Sequence, residues 1–161
     1  MKTNTLNLTA LLVGSLLFSF NMSSFNMSSF SAHEGATGVV KERMDLMDTQ
    51  KDAMKVLGGM AKGQVPFDAA KAAEAAHEIE NTAAKIPDLF PEGTGGHPSE
   101  AKPEVWTQWE EFTADAEALT KAATALKVAL EGDAPEWQAK FKGVVDACKT
   151  CHKTFRAEKK D

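Results

Sequence analysis

The stretch from Trp106 to Leu130 constrains the fold of this chain most tightly. Its apolar residues Trp106, Trp109, Phe112, Ala116, Leu119, Ala123, Leu126 and Leu130 recur at intervals of three and four. That repeat keeps side chains on one face of a helix, and a stripe so long must be buried against partners of the same kind. The chain supplies three more. Val40, Met44, Met47, Met54, Leu57 and Ala61 form a stripe between about Thr37 and Lys62. Asp68 is a good N-cap for a helix to about Lys85, with Ala72, Ala76, Ile79 and Ala83 inward. From about Pro135 to Lys159, Trp137, Phe141, Val144, Val145, Cys148, Cys151, His152 and Phe155 line up. Abundant alanine and the absence of tyrosine favour helix over sheet. Gly63 to Phe67 ends the first segment, and Pro87, Pro91, Gly93, Gly95, Gly96 and Pro98 mark a long loop. Pro103 suits the first turn of the third helix, and Gly132 to Pro135 separates it from the last. Four amphipathic helices with mostly short connections predict an all-α, antiparallel four-helix bundle.

Near the C-terminus stands Cys148-Lys149-Thr150-Cys151-His152. Cys-x-x-Cys-His is the attachment pattern of c-type haem. On a helix, cysteines three residues apart share a face and can form thioethers to both vinyl groups of one porphyrin. The adjacent histidine is then held where an imidazole nitrogen can bind iron. Structural zinc would need a second Cys or Cys/His pair, yet the chain has only two cysteines. A thioredoxin-like dithiol would sit beside a βαβ pattern, and a disulfide closing so short a loop would add little stability. One haem per chain is expected, inside the bundle near the end of the last helix, with Cys148 and Cys151 as covalent anchors and His152 as axial iron ligand.

Residues 1–32 read as a cleaved signal peptide, with Lys2 as the basic start and Ala10 to Phe18 as an apolar run too short for a comfortable membrane span. Cleavage after Ser31 or after Ala32 fits, and an uncleaved anchor is the competing reading. Two copies of Phe-Asn-Met-Ser-Ser, Phe20 to Ser24 and Phe25 to Ser29, lengthen this segment. Export suits covalent haem attachment and points to a bacterial periplasm. The mature domain, residues 33–161, is long enough for one core.

Four helices with the haem motif near the C-terminus resemble the class II cytochromes c, the cytochrome c prime family. The segments Lys62 to Asp68, Leu89 to Gly93, Lys102 to Trp106 and Cys148 to Arg156 are similar to that family too, so the resemblance runs through the whole mature chain. The family's distal position, which faces iron opposite the histidine, falls on Met47. The resemblance is greatest to the low-spin branch that has methionine there, and it implies Met47 as the second axial ligand. Methionine is also a common core filler, and Met44, three residues earlier, would pack against the distal haem surface. Arg43 matches a family arginine near the haem propionates, a role suited to bidentate pairing with carboxylate. Arg156 matches a basic position beside the proximal imidazole, with a solvated cation at a helix C-terminus as the alternative. Phe155 is expected to pack on the haem or the bundle end, and Trp106 to pack. His33, His77 and His97 are weak ligand candidates.

The chain is net acidic, with a formal charge of −5, which argues against nucleic acid. The last helix carries Lys140, Lys142, Lys149 and Lys153, so a basic surface near the haem could steer an acidic redox partner in the periplasm. These features together predict a monohaem electron carrier with His/Met-ligated iron, no enzymatic role and no membrane contact after cleavage. The alternative is a five-coordinate, high-spin cytochrome c prime that binds nitric oxide or carbon monoxide. The resemblance also brings in a homodimer through the first two helices as a candidate assembly.

Overall fold

The computed structural model describes residues 35–132 and 136–158. The expected signal segment, His33, and the outer limits expected for the last helix lie outside the described residues. The elements are α1 (Gly38–Ala61), α2 (Ala69–Ala83), a 3-10 turn (Pro87–Leu89), α3 (Glu104–Thr107), α4 (Trp109–Glu131) and α5 (Trp137–Phe155). Among the described residues the only β pairing is one isolated bridge between Ala101 and Arg156.

Local chemistry sets the turns. The Asp68 carboxylate accepts the Lys71 N–H at 3.1 Å, capping α2. At the end of α1, Gly63 takes φ +67° while its N–H donates to the Met60 carbonyl at 3.1 Å. Only glycine adopts that left-handed conformation without cost, so the chain reverses there.

The long helices run antiparallel. Arg43, early in α1, lies 4.4 Å from the ring centre of Phe90, which follows α2 and the 3-10 turn. Phe112, early in α4, meets Phe155, the last residue of α5, edge-on at 5.3 Å. At the opposite end, Phe67 stacks on Trp137 at 5.1 Å. α1 packs on α2, α2 on α4 and α4 on α5, and α1 meets α5 where Gly58 faces Phe141. The core between them combines small residues of α2 (Ala72, Ala76, Ala83) with larger ones, of which Leu57, Ile79, Leu126, Val105 and Val144 are fully buried.

Two expectations are corrected. The third helix does not run on from Pro103. It breaks at Gln108 (φ −122°, ψ 45°), leaving the single turn α3 before α4. Backbone bonds from Lys102 N–H to the Phe155 carbonyl (2.9 Å) and from Ala157 N–H to the Glu100 carbonyl (2.8 Å) tie the approach to α3 onto the end of α5. Trp106 therefore belongs to a separate element, and Trp109 is 39% exposed rather than inward. The buried line of α1 is also turned relative to expectation. It comprises Arg43, Leu46, Gln50, Ala53, Leu57 and Met60, while Val40, Met44, Met47, Met54 and Ala61 are only half-buried. Two polar side chains lie in that line because each finds a partner on a distant segment. The Gln50 amide, for example, donates to the Thr82 hydroxyl of α2 at 3.1 Å.

Candidate functional site

The three residues of the C-terminal motif lie on the last turns of α5. Cys148 and Cys151 are free, half-buried thiols. Burial is the main influence that pushes the Cys151 thiol up to about 12, with the nearby Asp115 carboxyl of α4 and Cys148 adding to it. Burial also raises Cys148. Both thiols are thus neutral near pH 7. His152 is solvent-accessible. The protein crowded around its imidazole lowers its pKa, the Arg156 cation adds to that, and Glu100 opposes it. A lowered pKa keeps the ring neutral and its lone pair available to a metal. Arg156 is itself held by Glu100, with Nε and Nη2 each 2.7 Å from the same carboxylate oxygen. Phe155 is buried against Phe112, in the core at the end of the bundle.

The face of α1 turned toward α5 is identified by Gly58, where an added Cβ would come 4.0 Å from Cζ of Phe141 on α5. Met54 lies one turn earlier on this flank and Met47 about three turns earlier. Both are half-buried. Met44 is half-buried as well, displaced around the helix toward solvent. The thiols and the methionine flank therefore belong to two helices that meet where Gly58 faces Phe141.

Arg43 closes the same end. It is 3% exposed, lies over the Phe90 ring, and donates from Nη2 to the Thr94 carbonyl (2.8 Å) and the Thr94 hydroxyl (2.6 Å). Its Nε and Nη1 are buried with no partner among the described residues. Burial lowers its pKa. Buried cationic donors left over in this way fit an anionic group that the protein itself does not provide. The residues present thus fit a haem: two thiols and an imidazole on α5, apolar flanks on α1, and spare arginine donors for propionates. Among the described residues no set of three or more His, Cys, Asp or Glu converges on a metal position.

His77 and His97 are both exposed, and among the described residues neither is bonded to the motif residues. His77 is exposed on α2 between Glu80 (3.3 Å) and Asn81 (3.0 Å), and His97 is exposed in the loop before Pro98. Sequence reasoning missed Thr94 as the partner of Arg43, Glu100 as the partner of Arg156, and Asp115 beside Cys151. Only the glycines that flank Thr94 hinted that this loop makes a close approach.

A family model described as Cytochrome C' matches residues 38–156. The chain is 39% identical over 119 residues to a cytochrome c' of Pararhodospirillum photometricum, covering 73% of this chain and 94% of that one. The fold matches cytochrome c' from Rhodopseudomonas palustris with a TM-score of 0.71 and 31% identity, over 78% of this chain and 100% of that one. It also matches a nitric oxide complex of a variant cytochrome c prime from Alcaligenes xylosoxidans, with a TM-score of 0.69 and 28% identity, over 75% of this chain and 94% of the other.

Proposed function

This chain belongs to the cytochrome c' family and carries one covalently attached c-type haem, and we propose that it is a periplasmic protein that binds nitric oxide or carbon monoxide at a haem iron held by His152. Such a haem supplies an iron centre able to take up one electron or one diatomic ligand. Cys148 and Cys151 would hold it through thioether links to its two vinyl groups. The imidazole of His152, whose pKa is lowered, would offer a neutral ring nitrogen to the iron. Arg43 offers its spare N–H groups to the propionates. The flank of α1 that carries Met47 and Met54 would offer the haem an apolar lining. No residue is assigned a catalytic role.

The kinship carries this reading, because relatives over most of the domain are cytochromes c' and one solved relative holds nitric oxide. It displaces the expectation of a low-spin carrier, which the comparisons support less well. Met47 nevertheless stands on the α5-facing flank of α1, and that position favours a second reading in which its thioether binds iron and the protein shuttles electrons. The ferric absorption spectrum of the exported protein separates the two. The gas-binding reading predicts high-spin ferric iron with an open site, a ferrous form that takes up carbon monoxide, and a spectrum unchanged in Met47→Leu. A low-spin spectrum with a sulfur-to-iron band that disappears in Met47→Leu would establish the carrier instead.

In either role electrons must reach the haem. The exposed Lys140, Lys142, Lys149 and Lys153 make α5 the basic face of an acidic protein, suited to an acidic periplasmic redox partner. Charge reversal at Lys149 and Lys153 should slow reduction by such a protein at low salt, and an unchanged rate would refute that docking.

A further inference from the structure

Trp106 is tied into the loop that carries Thr94. Its indole Nε1–H donates to the carbonyls of Phe90 (2.9 Å) and Pro91 (3.1 Å). The Thr94 hydroxyl donates to that same Pro91 carbonyl at 2.7 Å and accepts from Arg43 at 2.6 Å. Gly95 lies so close to the indole that an added Cβ would come 2.9 Å from Cζ3 and 3.0 Å from Cη2. Ring, loop and guanidinium are thereby linked in one chain of contacts, indole to Pro91 carbonyl to Thr94 to Arg43. The Phe90 ring beneath Arg43 fixes the other face of the cation. A buried arginine has several rotamers available, and two hydrogen bonds from a single nitrogen to one residue select among them. The selection leaves Nε and Nη1 free.

We propose that Trp106 and Thr94 are positioning residues: they brace the loop that fixes the Arg43 guanidinium toward the haem propionates, and through that cation they set the reduction potential. The inference rests on the haem site assigned above. A cation held in a protein interior favours the arrival of an electron nearby, because the surroundings screen it poorly. A guanidinium free to swing toward solvent contributes less. Loosening the brace must therefore lower the potential even though neither Trp106 nor Thr94 touches iron.

The test is redox titration of the haem-loaded protein in a double-mutant cycle. Arg43→Gln should lower the potential, and Trp106→Phe, Thr94→Val and Gly95→Ala should each lower it by part of that amount. Thr94→Ser, which keeps the hydroxyl, should restore it. In the Arg43→Gln background, Trp106→Phe and Thr94→Val should have no further effect. Equal shifts with and without Arg43, or wild-type potentials in both brace variants, would overturn the proposal. If Trp106→Phe fails to fold, the Thr94 pair decides alone. An Arg43→Gln protein with haem attached by mass and an unmoved potential refutes this inference only. A wild-type chain of bare peptide mass from a host able to attach haem refutes the site itself.

Discussion

One polar tie between α2 and α4 runs through a single carboxylate, and its contribution to stability can be read by changing the pH. Glu80 of α2 accepts the Thr124 hydroxyl of α4 at 2.6 Å and pairs with the Lys127 ammonium of the same helix. Lys127 first, then Thr124, pulls the Glu80 carboxyl from 4.5 down to about 2, with burial opposing. At about 1.4 kcal/mol per pKa unit, that fall sets a ceiling of about 3 kcal/mol on what ionised Glu80 adds to folding. The side chains of Lys127 and Glu80 are 22% and 18% exposed, so water still screens the pair and about 1 kcal/mol is the realistic share. Glu80→Gln keeps an acceptor for Thr124 and removes only the charge. Because the folded pKa lies below the unfolded one, the stabilisation is complete above about pH 4.5 and is lost as pH falls toward about 2. Urea unfolding of the haem-loaded protein, followed by far-UV circular dichroism, should show Glu80→Gln less stable by about 1 kcal/mol near neutrality. The two proteins should converge in acid. A gap as wide near pH 2 as near pH 7 would mean that packing, rather than charge, makes the tie.

Three further outcomes follow from the core. Leu126 is fully buried in α4, so Leu126→Ala should cost about 2–5 kcal/mol in the same urea assay. Ala76 has no exposed surface where α2 lies in the core, and Ala76→Leu should lower stability by about 1–3 kcal/mol through overpacking. Phe67 is 51% exposed but stacks on Trp137. Phe67→Ala should therefore cost only about 0.5–1.5 kcal/mol and alter tryptophan emission, and a silent emission spectrum would deny the stack.

The sequence shows whatever is repetitive or local. The inward line of α2 at Ala72, Ala76, Ile79 and Ala83 is buried as expected, and Asp68 caps it. The α4 stripe holds from Phe112 to Leu130. The motif on α5 needs only spacing to be recognised. Contacts that join distant segments are not legible. Arg43 meets Thr94 from 51 residues away and Gln50 meets Thr82 from 32, and nothing in the polarity of either residue announces a buried partner. The break at Gln108 is equally silent, because tertiary bonds at Glu100, Lys102 and Trp106 impose it on a segment whose local pattern favours continuous helix.

The misread face of α1 explains why the site is placed where it is. Apolar periodicity selected the methionine line, whereas protein contacts bury the line one step around the helix, against α2. Both faces are inward, and they serve different neighbours. The buried line holds Leu46, Ala53 and Leu57, with Gln50 bonded to Thr82 of α2 and Arg43 held by Phe90 and Thr94 beyond it, while the methionine flank is turned toward α5. Met47 and Met54 pack on the core yet stay half-buried, and a surface bound beside α5 would cover what remains of that flank. That surface must be apolar to suit Met47 and Met54 and must reach two thiols on α5. It must also present negative charge to the unpartnered donors of Arg43. A porphyrin with propionates on one edge meets all three demands.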